Sequence, residues 1–203
     1  MIKVLIAEDQ AMLLTTLATI IDLEDDISVV HQSANGQDAL AFICDENNPK
    51  VDIVISDIEM PKMTGIELIQ TLKEKKVDIK SIILTTFSRA GYLRRAMDAG
   101  VKGYLLKDSP SEELLTAIRK IAHGGKVIAA ELLQEAWIEV DPLTDKERKA
   151  LQLAQTGAST EEISKLLHLS TGTVRNYLSS ACNKLDAKNR TEAARIAHQN
   201  GWL

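Results

Sequence analysis

The chain has 203 residues, 45% of them hydrophobic and only 3% aromatic, enough to fill two domains whose cores rest on Ile, Leu, Val and Ala. No run of about 18 apolar residues occurs, so no membrane-spanning helix is expected. The net charge of −5 is uneven: Met1–Pro142 carry 15 basic against 23 acidic side chains, and Leu143 onward carries nine against six, which points to two different tasks, the second on a polyanion.

In chain order, the first strand is expected at Ile2–Ala7, inside MIKVLIAEDQ, which turns acidic by Glu8 and carries no signal-peptide pattern. Further strands are expected at Ile27–His31, Val51–Ser56, Lys80–Thr85 and Gly103–Leu106. Helical spacing separates them: Leu14, Leu17 and Ile21; then Ile66, Ile69 and Leu72; then Leu93, Ala96 and Met97. Strand followed by helix five times argues for a parallel sheet with helices on both faces. The fifth helix is expected to open with Ser109 at the N-cap, Pro110 at N1 and Glu112 at N3, and to stop at Gly124-Gly125. Residues 124–142 read as a linker, with Lys126–Ile128 extended and Ala129–Val140 a short helix ahead of Asp141-Pro142. Every later segment reads as helix. Thr144-x-x-Glu147 and Ser159-x-x-Glu162 are capping boxes opening helices that reach Gln155 and Leu167. A third helix covers Ser170–Leu185 and a fourth Arg190–Asn200, closed by Gly201. The expected organisation is a domain at 1–123, a linker at 124–142 and a helical domain at 143–203.

In an open parallel sheet, ligands sit beyond the carboxyl ends of the strands. Those positions hold Glu8 and Asp9 after the first strand, Asp57 after the third, Thr85 and Thr86 at the end of the fourth and Lys107 after the fifth. One acid at a strand end is ordinarily a solvated surface group. Three acids, a hydroxyl and a lysine in one crevice are harder to dismiss. Carboxylates this close repel one another and stay ionised only around a cation. Oxygen-only ligands select a hard ion, and Mg²⁺ takes one or two carboxylates together with water and phosphate oxygens. Lys107 is a compact positive charge suited to a phosphoryl oxygen. An aspartate beside both can attack phosphorus and become an acyl phosphate, while Mg²⁺, Lys107 and the Thr85 hydroxyl meet the charge on the transferred group. On this reading the apolar run VDIVISD delivers Asp57 as a nucleophile.

Residues 1–123 resemble the receiver domain of two-component response regulators, through IAEDQ (6–10), ISDIEMPKMTG (55–65), ILTTF (83–87) and GYLLKD (103–108). The resemblance implies a five-stranded, doubly wound, flavodoxin-like sheet. It also implies that Asp57 accepts a phosphoryl group from a sensor histidine kinase, with Mg²⁺ held by Glu8, Asp9, Asp57 and the backbone carbonyl of Glu59. Thr85 would be the switch hydroxyl, Tyr104 the aromatic that moves inward with it, and Lys107 the phosphoryl ligand, with Thr86 beside them. Glu59 and Phe87 are expected to set the lifetime of the acyl phosphate. Asp108 follows Lys107 where many relatives have proline, which leaves the geometry of that peptide open.

In the helical half, a wheel over Thr171–Leu185 puts Val174, Leu178, Ala181 and Leu185 on one stripe. Opposite lie Gly172, Asn176, Ser179 and Asn183, with Arg175 at the edge and no acid among them. An ordinary amphipathic helix would look similar, but helix, tight turn and helix at 159–185 is the layout of a helix-turn-helix. Arg and Asn read base edges, and Thr171 and Thr173 at the helix N-terminus suit a phosphate. LTDKERKALQLAQTGASTEEISKLLHLSTGTVRNYLSSACNKL (143–185) resembles the four-helix DNA-binding domain of the NarL/FixJ regulators, whose helix-turn-helix is of the LuxR type. The match implies base or backbone contacts by Arg175, Asn176 and Ser179, the last standing where some relatives have Lys. Lys165, Lys184, Lys188 and Arg190 are expected at phosphates. TTFSRAGY (85–92) and RNYLS (175–179) resemble stretches of regulators that control a membrane-lipid desaturase through a thermosensing kinase.

The function implied is a transcription factor that dimerises and binds duplex DNA, at inverted repeats, once Asp57 is phosphorylated. Either the first and fifth helices or the fourth and fifth would pair, and RNA polymerase is a further partner the resemblance allows. The other readings are an aspartyl phosphatase, which lacks its D-x-D-x-T pattern here, and a constitutive DNA-binding protein with an inert receiver. Cys44 and Cys182 lie 138 positions apart without metal-site spacing and are expected as free thiols of a cytoplasmic protein. His31, His123, His168 and His198 show no ligand spacing, and Trp137 and Trp202 are expected to pack.

Overall fold

The computed structural model describes residues 1–86, 90–129 and 141–203. Contacts divide the chain into two compact units, one of residues 1–88 and 93–133 and the other of residues 89–92 and 134–203.

The first unit is built on β1 (Ile2–Ala7), α1 (Ala11–Asp22), β2 (Ile27–Ser33), α2 (Gly36–Cys44), β3 (Ile53–Ser56), α3 (Gly65–Glu74), β4 (Lys80–Thr85), α4 (Ala90–Ala99), β5 (Gly103–Leu106), α5 (Ser111–Ala122) and β6 (Val127–Ile128). All pairings are parallel and the strand order is β2-β1-β3-β4-β5-β6. The period of two along β1 divides the core. Val4 and Ile6 join Ile21, Ile118 and Ile121 on the α1/α5 face, whereas Leu5 and Ala7 join Ala39, Leu68 and Leu72 on the α2/α3 face. Aliphatic side chains buried on both faces read as continuous apolar strands, as a parallel sheet requires. The chain leaves β1 for β2 on one side and returns to β3 on the other, so the switch point lies between β1 and β3.

The sheet has six strands where five were expected. The stretch expected to be extended at Lys126–Ile128 is extended over Val127–Ile128, and it adds an edge strand by pairing with β5 through Gly103↔Val127 and Tyr104↔Ile128. The start of α5 also differs. Pro110 is the N-cap, extended at φ −53 and ψ 141 with no side-chain cap bond, so Ser109 lies outside the helix. The Ser109 N–H is instead donated to the Leu106 carbonyl in a turn. The helix expected at Ala129–Val140, and Phe87 and Trp137, fall outside the described residues apart from Ala129 itself, which is buried beyond β6.

The second unit contains α6 (Asp145–Gln155), α7 (Thr160–Leu166), α8 (Thr171–Lys184) and α9 (Arg190–Gln199). Each start is capped by its own side chain: Thr144 and Ser159 in full capping boxes with Glu147 and Glu162, Ser170 to the Thr173 N–H and Asn189 to the Glu192 N–H. Between α7 and α8 the chain turns at His168, left-handed at φ 53, and the Leu169 N–H closes the α7 end on the Ser164 carbonyl. The core joins Leu151, Ile163, Val174, Leu178, Ala181, Ala193, Ala197 and Trp202. Arg148 fastens the ends of the unit, donating to the Asp141 carboxylate at 2.6 Å and to the Trp202 carbonyl at 2.8 Å. Among the described residues no helix is long and apolar enough to cross a membrane.

Candidate functional site

The carboxyl ends of β1 and β3 lie side by side because Ala7 pairs with Ser56. The residues that follow each strand therefore emerge together. The Asp57 N–H continues the ladder to the Ala7 carbonyl at 2.9 Å, and the Glu8 N–H reaches the Ser33 carbonyl of β2 at 2.9 Å. One carboxylate oxygen from each of Glu8, Asp9 and Asp57 falls within 4.8 Å of the others. Glu8 and Asp57 are buried, at 2% and 6% exposure, whereas Asp9 faces solvent.

β5 supplies the counter-charge. The Lys107 N–H bonds the Thr85 carbonyl at 2.9 Å, which aims its side chain across the strand ends. The buried Lys107 Nζ lies 2.7 Å from Glu8 Oε2 and 2.8 Å from Asp57 Oδ2. Asp57 Oδ1 accepts from the Ile58 N–H at 2.6 Å, and Glu8 Oε1 from the Gln10 N–H at 3.2 Å. Burial pushes both carboxyls above the ordinary range, and the Lys107 bonds offset that only in part. Burial also works to lower Lys107, yet the two carboxylates outweigh it and hold the ammonium above its usual value. Ionising Glu8 and Asp57 therefore carries a cost, and three carboxylates against one ammonium leave a formal excess of two negative charges. A divalent ion would neutralise that remainder, and the donor set is all oxygen, which suits a hard cation.

The loop after β3 is held against the site by α3. Asp57 shares its carbonyl with the Ser56 hydroxyl at 2.8 Å, and the Gly65 N–H bonds the Ile58 carbonyl at 2.9 Å. Gly65 opens α3 so close to this turn that a Cβ there would lie 1.9 Å from the Asp57 carbonyl oxygen. Glu59, half-buried, sits in the same loop. Thr85 is the last residue of β4 and fully buried, Thr86 just beyond it is exposed, and Tyr104 on β5 is fully buried. No described peptide bond is cis, that between Lys107 and Asp108 included.

In the helical unit, Val174, Leu178, Ala181 and Leu185 all face inward, and Gly172, Arg175, Asn176, Ser179 and Asn183 are exposed along the opposite side of α8. Thr171 and Thr173 are half-buried at the N-terminal turn, the Thr173 hydroxyl sharing a hydrogen bond of 2.8 Å with Ser170. Lys165 and Lys188 are exposed, while Arg190 is half-buried with Nη1 donating to the Ala158 carbonyl at 3.3 Å. Lys184 stands apart from the other expected contacts. Its Nζ donates to Glu147 Oε2 at 2.7 Å. Glu147 is 4% exposed and also accepts from the Ser180 hydroxyl at 2.6 Å. Although burial raises the Glu147 carboxyl, the bonds from Lys184, Ser180 and Thr144 bring it down to about 2. Sequence reading gave Glu147 only its local capping role. Its partners lie 33 and 37 positions away, beyond the reach of any periodicity. Gly65 was likewise missed, and only its place in the TG step ahead of a helix signals it.

Comparison with known proteins agrees with this layout. Residues 4–119 match the response regulator receiver domain and residues 141–197 the bacterial regulatory proteins of the luxR family. The transcriptional regulatory protein DesR of Bacillus subtilis is 48% identical over the whole of both chains. The response regulator protein VraR of Staphylococcus aureus is 31% identical, covering 100% of this chain and 99% of its own. Among solved structures, the response regulator ChrA of a heme-sensing two-component system aligns with a TM-score of 0.56 at 30% identity, covering 100% of this chain and 98% of that one.

Proposed function

From the premise that the chain belongs to the two-component response regulators that join a receiver domain to a LuxR-type DNA-binding domain, we propose that Asp57 is its phospho-acceptor and that the phosphorylated form dimerises and grips promoter DNA. The observation that carries the reading is the convergence of three carboxylate oxygens within 4.8 Å, with Lys107 against two of those carboxylates. The receiver spans 1–123, the linker 124–142 and the DNA-binding domain 143–203. The donor is a phosphohistidine of a sensor histidine kinase.

An Asp57 carboxylate oxygen attacks phosphorus, the P–N bond to the histidine breaks, and imidazole leaves. Asp57 is stripped of bulk water by burial and held by the Ile58 N–H, so its attacking oxygen is oriented before the donor arrives. Glu8, Asp9, Asp57 and the Glu59 backbone carbonyl would hold Mg²⁺, which when bound supplies positive charge to the phosphoryl oxygens. As phosphorus takes over the Asp57 oxygen, Lys107 passes from the carboxylate to a phosphoryl oxygen. Thr85 donates its hydroxyl to another, Thr86 lies beside it, and Tyr104 occupies the inward position that accompanies this state.

In the second domain, α8 lies in the major groove. Arg175, Asn176 and Ser179 face bases or backbone, Thr171, Thr173 and Asn183 complete that face, and Lys165, Lys188 and Arg190 meet phosphates. A dimer presents two such helices, so the DNA site is an inverted repeat. Such a protein works in the cytoplasm beside the DNA it controls.

The test is incubation with acetyl phosphate and Mg²⁺ followed by intact-mass measurement. A single phosphoryl adduct on the wild type and none on Asp57→Ala is expected. An adduct that persists in Asp57→Ala refutes the assignment, and turnover of acetyl phosphate without any adduct would favour a phosphatase.

A further inference from the structure

Glu147 is a buried acid that the proposed switch does not use, and its surroundings bear on how α8 meets DNA. Its backbone belongs to the first turn of α6, where the Thr144 N–H donates to Oε2 at 2.7 Å. Its side chain reaches α8, taking the Ser180 hydroxyl on Oε1 at 2.6 Å and the Lys184 ammonium on Oε2 at 2.7 Å. Both oxygens are therefore satisfied by charged or polar donors in a site that excludes most water. Lys184 lies in the last turn of α8, and its side chain is 34% exposed with its head turned toward Glu147. Leaving Glu147 buried without that cation would cost an uncompensated charge. The ammonium is thus held by the protein more firmly than a surface lysine would be.

We propose that Lys184 is a positioning residue and not a DNA contact: Glu147 captures its ammonium, so that the Glu147–Ser180–Lys184 cluster docks α8 on α6 and withholds that one charge from the phosphate backbone. This rests on the reading of α8 as the helix that enters the groove. Lys184, Lys165 and Lys188 are all exposed along part of their length, and what separates Lys184 is its ammonium on a buried carboxylate; among the described residues those of Lys165 and Lys188 meet none at hydrogen-bond distance.

Counterion release distinguishes the two roles. Each lysine that neutralises a phosphate adds about 0.9 to the slope of log affinity against log salt, or roughly 3-fold in affinity between about 50 and about 200 mM salt. A positioning lysine adds nothing to that slope. The experiment measures binding of the full chain to a short mixed-sequence duplex by fluorescence anisotropy across this salt range, with thermal unfolding on each variant. K184Q is expected to lower the melting temperature and leave the slope at the wild-type value, and K184R to restore the melting temperature. E147Q keeps an N3 side chain compatible with the capping box but loses the charge that holds Lys184. Its slope is expected to steepen by about 0.9 as the ammonium is freed, and E147Q/K184Q to return to the wild-type slope. A K184Q slope shallower by about 0.9, or an E147Q slope no steeper than wild type, overturns the proposal. Should E147Q fail to fold, K184Q decides alone. Absence of DNA binding by the wild-type chain would overturn this proposal and the groove-binding reading of α8 together, whereas a shallower K184Q slope overturns only the former.

Discussion

Gly65 offers the sharpest probe of how the fold holds the acidic site. Replacing it with Ala places a Cβ 1.9 Å from the Asp57 carbonyl oxygen and 2.6 Å from Ser56 Oγ, where real contacts are essentially never under 3.0 Å. Neither neighbour can yield cheaply: the carbonyl is backbone, and Ser56 is fully buried. The α3 start and the end of β3 must separate by about 1 Å, which overpacking data put at roughly 1–3 kcal/mol of stability. The displaced residue is the one that carries the attacking carboxylate. A misplacement of about 1 Å costs on the order of 10²-fold in rate. G65A is therefore expected to fold with a lowered melting temperature and to take up phosphoryl groups from acetyl phosphate roughly 100-fold more slowly, followed by mass against time. A G65A protein phosphorylated at the wild-type rate with unchanged stability would refute the argument.

Because burial raises the Asp57 carboxyl, its ionised form detracts from stability above the raised value, and the penalty fades as pH falls through it. D57N should accordingly melt higher than wild type at neutral pH, with the gap narrowing in acid; equal melting curves at pH 7 would contradict the site electrostatics. Saturating Mg²⁺ should stabilise the wild type, by about 2.7 kcal/mol at a concentration 100 times the dissociation constant, and D57N much less; thermal shifts that match in the two proteins would remove Asp57 from the ion site. Glu147 behaves in the opposite sense. Its carboxyl falls from 4.5 to about 2 in the folded state, so it contributes about 3 kcal/mol that is fully present above the unfolded value and lost as pH falls through the folded one. The stability difference between wild type and E147Q should hold steady from neutral pH to about 5 and close toward pH 2, whereas a difference indifferent to pH would show that the Lys184 and Ser180 bonds do not depend on its charge.

Much of the site could be read from the sequence because a parallel sheet gathers its functional residues at strand ends. Ile2–Ala7, Lys80–Thr85 and Gly103–Leu106 are apolar runs that stop abruptly, and the structure ends these strands at the same residues. The positions just past them needed no long-range information. What escaped was whatever depends on contacts between distant segments. The extended run at Lys126–Ile128 was legible, but its pairing with β5 as a sixth strand was not. Ser109 carries the chemistry of a helix cap, yet the turn to Leu106 uses its N–H and the helix opens at Ser111. Lys184 looks from the sequence like any lysine on the outer part of a helix, and only the fold brings Glu147 beneath it. Gly65 has an ordinary backbone conformation, so its necessity arises solely from the approach of Asp57.

The central claim is that phosphorus on Asp57 controls the hold of the helical domain on DNA. The direct measurement is the affinity for duplexes selected from a random pool, determined for wild type and D57A with and without prior acetyl phosphate and Mg²⁺ treatment. Tighter binding after treatment in the wild type alone is the predicted result. Identical affinity in the treated and untreated wild type, or a D57A protein that responds as the wild type does, would contradict it.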